Sequence, residues 1–167
     1  TLNSNTGTSN TSYGIYIYLS SDKNNLTSNT GTSNSSYGVY LQNSNNNTLI
    51  NHNATGYLTG SYGIAFRGSN NTIIKDCVNV TGVSGDVLYV TALSINNTFI
   101  NCSYRTTGTN ETVLSGGDLT RKWYYSAYVN DTTGTAVSNA NVSAYNLSSG
   151  IQDALLTNGS GFTNITH

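Results

Sequence analysis

The chain has 167 residues, a formal net charge of −1 and only 8% charged residues, against roughly 25% in an ordinary soluble domain. Its polarity comes from 26 Asn, 25 Thr, 22 Ser and 17 Gly, and it contains neither Pro nor Met. Six basic residues, with Arg121-Lys122 the only adjacent pair, exclude the basic stripe that nucleic acid demands, and no apolar run is long enough for a membrane-spanning helix.

Leu, Ile, Val and Phe supply 36 of the 167 residues, about 22%, enough for a dry core when net charge is this low. A folded chain is expected. The absence of Pro points to backbone hydrogen bonding along nearly the whole length. With no Met and no signal peptide at its start, the sequence reads as a processed chain or an excised piece.

In chain order, the first landmark is Ser12-Tyr13-Gly14-Ile15-Tyr16-Ile17. It returns as Ser36-Tyr37-Gly38-Val39-Tyr40-Leu41, as Ser61-Tyr62-Gly63-Ile64-Ala65-Phe66, and more weakly as Ser84-Gly85-Asp86-Val87-Leu88-Tyr89. A second landmark lies between these: Asn24-Asn25-Leu26, Asn46-Asn47-Thr48, Asn70-Asn71-Thr72 and Asn96-Asn97-Thr98, at spacings of 22, 24 and 26 residues. Within each copy apolar residues alternate with a period of two, which is the strand pattern, and no stretch shows a helical face. Ile15, Val39, Ile64 and Val87 form one column, and Ile17, Leu41, Phe66 and Tyr89 form another on the same face. Tyr16, Tyr40, Ala65 and Leu88 point the other way. The second strand reads Leu49-Ile50, Ile73-Ile74 and Phe99-Ile100.

Strands this short cannot bury a face alone. If each copy makes one coil, coils stacked at about 4.8 Å align equivalent positions into ladders. Asn at the corners accepts the left-handed conformation of a tight bend, and Gly14, Gly38 and Gly63 recur where a Cβ would clash. The pattern predicts an all-β chain: a right-handed parallel β-helix of about five coils of 22–26 residues over residues 1–117.

The Asn-Asn-Thr-(Leu/Ile/Phe)-Ile and Ser-Tyr-Gly-(Ile/Val)-Tyr-(Ile/Leu) units resemble the NosD-like right-handed parallel β-helix repeats of archaeal cell-surface proteins. That resemblance covers residues 1 to about 105 and is specific for fold. Such repeats serve adhesins, surface-layer components and carbohydrate enzymes alike, so it does not select an activity.

Residues 106–117 read as a polar exit from the stack, and residues 118–167 as a separate region of strands by β-propensity. Trp123-Tyr124-Tyr125-Ser126-Ala127-Tyr128-Val129 is a strand, Asn130-Asp131-Thr132-Thr133-Gly134 a turn, and Val137, Ala140 and Val142-Ser143-Ala144-Tyr145 a second strand. After a turn at 146–150, Leu155-Leu156 and Asn158-Gly159-Ser160-Gly161-Phe162 suggest another hairpin. This region resembles the start of a carboxypeptidase-regulatory-like or immunoglobulin-like β-sandwich. That resemblance implies a core position for Trp123, and an incomplete sandwich that further chain or another subunit finishes.

Fifteen Asn-x-Ser/Thr acceptor sites occur, at Asn10, Asn25, Asn34, Asn46, Asn53, Asn70, Asn79, Asn96, Asn101, Asn110, Asn130, Asn141, Asn146, Asn158 and Asn164. That is about double what a shuffled chain of this composition holds. The Asn-Asn-Thr corners account for Asn46, Asn70 and Asn96 structurally, but not for the later ones. Covalent glycans would also give a charge-poor chain its solubility.

Cys77 and Cys102 lie 25 residues apart, close to one coil, which suits a disulfide between vertical neighbours. The register opposes it, since Cys77 follows Thr72 by five positions and Cys102 follows Thr98 by four. A disulfide and two buried thiols both remain open. With two Cys, His52 and His167, no metal site is expected, and no motif calls for a cofactor. The carboxylates Asp22, Asp76, Asp86, Asp118, Asp131, Asp153 and Glu111 form none of the clusters that hydrolases or lyases on this scaffold use; Asp76 with Lys75 and Asp86 comes nearest. They read as solvated corner residues, and the chain as no enzyme.

Tyr13, Tyr37 and Tyr62 fall in one column at a corner. Tyr16 and Tyr40 face outward one coil apart, as a candidate contact surface. The leading expectation is an extracellular structural protein of a cell-surface layer, sheath or filament, N-glycosylated and self-associating. A first coil with no polar cap would stack on further chain or on a second copy, giving an open-ended polymer. A carbohydrate-binding, adhesive module is the alternative, and a polysaccharide hydrolase or lyase a distant third.

Overall fold

Each of the first four repeats builds three short strands, one more than its apolar alternation reveals. The computed structural model describes residues 1–83, 88–91, 93–105, 110–146 and 150–166. Three parallel sheets run along the first unit, Thr1–Arg121. Sheet A contains β1 (Leu2–Asn3), β4 (Asn25–Thr27), β7 (Thr48–Ile50), β10 (Ile73–Lys75), β13 (Asn97–Ile100) and β15 (Leu119–Lys122). Sheet B contains β2 (Thr6–Ser9), β5 (Thr30–Ser33), β8 (Asn53–Gly56) and β11 (Asn79–Gly82). Sheet C contains β3 (Ile15–Tyr18), β6 (Val39–Gln42), β9 (Ile64–Arg67), β12 (Leu88–Val90) and β14 (Glu111–Val113). The chain passes A to B to C in each of the first four coils and continues through β13, β14 and β15, giving a parallel β-solenoid of about five turns with no α-helix among the described residues.

Like residues lie over like residues. Val39 pairs with Ile15 below and Ile64 above, and Leu41 with Ile17 and Phe66. On sheet A, Leu2, Leu26, Leu49, Ile74 and Phe99 form the inward column. From Leu26 to Phe99 that column is buried, together with Val39, Leu41, Ile64, Phe66 and Val90 from sheet C. Each such side chain contributes roughly 1.5–3 kcal/mol by leaving water.

Sheet B faces inward with small residues: Gly7, Gly31, Ala54 and Val80 in one column, Ser9, Ser33, Gly56 and Gly82 in the next. Smallness is required because sheets B and C meet backbone to backbone. A Cβ on Gly31 would stand 2.3 Å from the Gly38 carbonyl oxygen, and one on Gly38 would stand 2.4 Å from the Thr55 nitrogen.

The corners repeat as faithfully as the strands. Ser4, Ser28, Asn51, Asp76 and Asn101 carry φ of 52–55° at the A-to-B bend. Lys23, Asn46, Asn71 and Asn96 do the same at the entry to sheet A, with φ of 56–58°. An L-residue tolerates this region best as Asn or Asp, whose short polar side chain bonds locally.

Two registers differ from the sequence expectation. Asn24, Asn47, Thr72 and Asn97 are equivalent, so the Asn-Asn motif slips by one residue in the second and in the fourth coil: Leu26 matches Leu49 rather than Thr48, and Ile73 matches Thr48 rather than Leu49. In the fourth coil Leu88 pairs with Ile64 and Val90 with Phe66, so Tyr89 falls opposite Ala65 rather than Phe66. Val87, like the rest of residues 84–87, lies outside the described residues. Residues 106–117 are more than an exit, since β14 closes sheet C there. The unit ends at Arg121 rather than at residue 117 because β15 joins sheet A.

The second unit, Lys122–His167, holds two antiparallel pairs. β16 (Tyr124–Tyr128) pairs with β19 (Phe162–Thr166), and β17 (Asn141–Asn146) with β18 (Gly150–Leu156), with a bulge between Ala144 and Tyr145. The turn expected at Asn130 to Gly134 is present: the Asp131 carboxylate accepts from the Thr133 and Thr135 amides at 2.9 Å each. Val137 and Ala140 stand outside the second strand, and Ala140 instead bonds to the buried Thr157. Trp123, expected in a core, is 50% exposed.

Candidate functional site

Hydrogen-bonded side chains tie coil to coil, and many of the sequon asparagines belong to those ladders. Along one corner, Asp22 accepts from the Asn45 amide, Asn45 from the Asn70 amide, and Asn70 from the Ile95 amide, each through Oδ1. Inside the adjacent bend Asn47 and Asn97 accept from the backbone of Asn24 and Thr72. Ser44, Ser69 and Ser94 form a buried ladder in which the Ser69 and Ser94 hydroxyls each accept from the amide of the serine one coil below. A low-charge chain thereby satisfies its buried backbone with neutral amides and hydroxyls.

This separates the acceptor sites into two groups. Asn34, Asn96 and Asn101 donate their Nδ2 along the stack, to Asn10, Asn71 and Asp76. Asn53 and Asn110 bury their Oδ1 atoms, and Asn70 is a rung of the corner ladder. Asn34, Asn96 and Asn101 are exposed, and so are Asn25, Asn46 and Asn79, which carry no such rung among the described residues; Asn130, Asn141, Asn158 and Asn164 of the second unit are exposed too, and Asn10 is exposed and accepts from Asn34. The side chain of Asn146 lies outside the described residues. Sequence finds the motif but not which amide nitrogen is free, because that depends on the neighbouring coil.

Cys77 and Cys102 are joined through their sulfur atoms, with 4.6 Å between Cα atoms. The apparent clash of register disappears with the slipped motif: Thr72 is equivalent to Asn97, and both cysteines follow the matched left-handed residues Asp76 and Asn101. His52 shares the same inner bend, fully buried, and burial holds its imidazole pKa below the ordinary value. Neither ring nitrogen has a hydrogen-bond partner of good geometry.

The tyrosines form a continuous aromatic ladder on the outer side of sheet C. Tyr13 stacks on Tyr37 at 5.6 Å, and Tyr37 contacts Tyr62 at 5.5 Å. Tyr16 lies parallel to Tyr40, with centroids 5.4 Å apart and an interplanar angle of 3°. Tyr40 is nonetheless only 5% exposed, because Tyr13, Tyr16 and Tyr37 cover it. The accessible rings are Tyr16 and Tyr18, 4.9 Å apart and each 42% exposed. Tyr16 donates to the Gln42 side chain at 2.5 Å, and burial followed by the nearby Tyr18, Tyr13 and Tyr40 raises its pKa.

The carboxylates serve the frame. Asp22 and Asp118 accept corner amides, Asp76 accepts from Asn101, and Asp131 caps its own turn, with hydrogen bonds from Thr133 and Thr135 lowering its pKa. Glu111 accepts from Tyr104 at 2.8 Å and pairs with Arg121 at 3.4 Å. Asp86 lies outside the described residues. The sequence reading also passes over the outer face of sheet B, where Thr8, Thr32, Thr55 and Thr81 stack in one column beside Thr6, Thr30, Asn53 and Asn79.

No protein-family model, curated protein or solved structure matches this chain. No helix among the described residues is long and apolar enough to cross a membrane.

Proposed function

We propose that the chain is a non-catalytic structural segment of an extracellular assembly, a layer, sheath or filament, carrying N-linked glycans and associating with further copies along the coil axis. The in-register stack supports this reading most: core columns, left-handed corners and amide ladders all repeat along one direction, which makes a stiff, extensible rod. Coil-on-coil association is a heterologous contact, and such contacts build open polymers. The NosD-like character of Thr1–Arg121 and the sandwich-like character of Lys122–His167 belong to the same proposal, as does an archaeal cell-surface origin. Electron microscopy of the purified glycoprotein tests it. Ordered filaments or sheets are expected; particles that stay monomeric at every concentration, with glycans present or removed, refute it.

The tyrosine ladder favours a second reading, adhesion to carbohydrate. Tyr16 and Tyr18 offer adjacent exposed rings beside the Gln42 amide, the combination that takes a sugar ring by stacking and hydrogen bonding. Glycan-array binding that falls at least tenfold in Tyr16→Ala and Tyr18→Ala would support it, and an array without signal removes it.

A further inference from the structure

We propose that Asn164 is a built glycan seat: it carries an N-linked oligosaccharide whose first sugar lies against the aromatic side chains around it. The inference rests on the glycoprotein part of the reading above and goes further by naming the site and what holds the sugar.

Asn164 sits at the centre of the β16–β19 pair, directly opposite Ser126. Tyr128 faces Phe162 on one side of this pair and Tyr124 faces Thr166 on the other, so all six residues share one face of the ribbon. The opposite face carries Ala127, half-buried, Thr163, buried, and Tyr125, exposed. The face that Asn164 shares is the one with three aromatics, Tyr124, Tyr128 and Phe162, each about half exposed at 47%, 48% and 48%. A solvent-facing side of an antiparallel pair is ordinarily polar, and exposed aromatics rimmed by polar groups mark a surface that something covers.

The sequon itself supplies the occupant. Ser126 donates to Asn164 Oδ1 at 2.6 Å, which fixes the amide and leaves Nδ2 for attachment. Thr166, the hydroxyl residue of the sequon, lies on the same face. Phe162 is two residues before Asn164, about 6.7 Å along the strand, and its ring contacts Tyr128 with centroids 4.7 Å apart. A pyranose has a C–H face that packs on such rings and a hydroxyl rim that stays wet. In the coil stack Asn34, Asn96 and Asn101 already donate Nδ2 to a neighbouring coil, whereas Asn164 does not.

Attachment requires an oligosaccharide donor on a polyisoprenyl phosphate or pyrophosphate, and a transferase. Asn164 Nδ2 forms a bond to the anomeric carbon as the bond from that carbon to the phosphate oxygen breaks. The lipid phosphate leaves with the electron pair, and the amide nitrogen gives up one proton.

The test uses the full chain secreted from a host that performs N-glycosylation. Mass spectrometry of intact glycopeptides reads occupancy, and proton NMR of the glycoprotein reads ring-current shifts. Asn164 is expected to be occupied, with ring protons of its first sugar moved upfield relative to those of the sugar at Asn130. Asn164→Gln is expected to lower the unfolding temperature of the second unit by roughly 4 °C, and Phe162→Ala to abolish the difference between glycosylated and deglycosylated protein. An empty Asn164 beside occupied Asn130 and Asn158 overturns the inference, as does an occupied Asn164 without upfield shifts, a readout that needs no variant to fold. A chain bearing no sugar at any sequon overturns the glycoprotein reading as well.

Discussion

Truncating Leu49 to alanine measures how tightly the stacked columns are packed. Leu49 is fully buried on sheet A, with Leu26 below it and Ile74 above. The change removes three carbons, worth roughly 0.8 kcal/mol each on transfer from water. The vacated space cannot collapse along the stack, because backbone ladders on both sides fix the coils about 4.8 Å apart. A cavity term therefore adds to the transfer term, and the total should be about 3–4 kcal/mol, in the upper part of the range for buried Leu→Ala. That is a large share of the roughly 5–15 kcal/mol that holds a domain together.

Urea unfolding followed by far-UV circular dichroism reads the loss as a shift in midpoint at constant slope. Leu49→Ile is the control, since Ile74 fills the same column one coil on, and it should cost less than about 1.5 kcal/mol. Leu49→Ala combined with Ile74→Ala should be non-additive through the shared cavity, whereas Phe99, two coils from Leu49, should add to it within about 0.5 kcal/mol. A cost for Leu49→Ala below about 1 kcal/mol, or an equal cost for the outward neighbour Ile50→Ala, would refute the inward-column geometry.

Three further outcomes follow from single positions. His52 is buried with a lowered pKa, so above about pH 6.5 both folded and unfolded chains hold a neutral imidazole and stability is complete. Below that the unfolded chain protonates first, and stability should fall by up to about 1.4 kcal/mol per pH unit until the folded imidazole also titrates; His52→Asn, the residue type found one coil below, should flatten the profile in denaturation series from pH 8 to 5. At Asn51, with φ of 55°, Asn51→Val should cost about 1–2 kcal/mol and Asn51→Gly almost nothing, as thermal melts will read; equal effects would argue against a left-handed corner. Breaking the link between Cys77 and Cys102, which closes a loop of 25 residues, should cost about 3.5 kcal/mol, so melting with and without dithiothreitol should differ in the wild type and coincide in Cys77→Ser.

What the sequence reveals depends on how strongly each element contrasts inside with outside. Sheets A and C each carry an inward column of Leu, Ile, Val or Phe within a short β-branched or aromatic run, so their strands and columns are legible. Sheet B is not, because its inward residues in the first two coils are Gly and Ser, with no room for a Cβ at Gly7 or Gly31, and a Thr-Gly-Thr-Ser strand has the composition of a loop. The repeat period misleads where motif and geometry part: the corner tolerates Thr72 where other coils have Asn, so the visible Asn-Asn-Thr shifts while the coil does not. Tyr40 points outward as its alternation indicates, yet rings from its own and the neighbouring coil cover it, which period two does not encode.

The asparagines carry the deepest ambiguity, since one side chain suits two incompatible tasks. At a corner, Asn stabilises the stack by accepting the left-handed bend and by linking coils through its amide. As a glycan carrier it needs Nδ2 in solvent. The solenoid divides these tasks from coil to coil: Asn96 and Asn101 spend Nδ2 on rungs, whereas Asn25, Asn79 and Asn46, which holds the same corner position as Asn96, stand exposed without one. Adding sugar to the first group would replace one of the two Nδ2 hydrogens and crowd a rung between coils, and adding it to the second would not. Glycan occupancy should therefore follow the hydrogen-bond ladder rather than the sequon. A chain with 8% charged residues can in this way draw cohesion and solubility from the same amino acid.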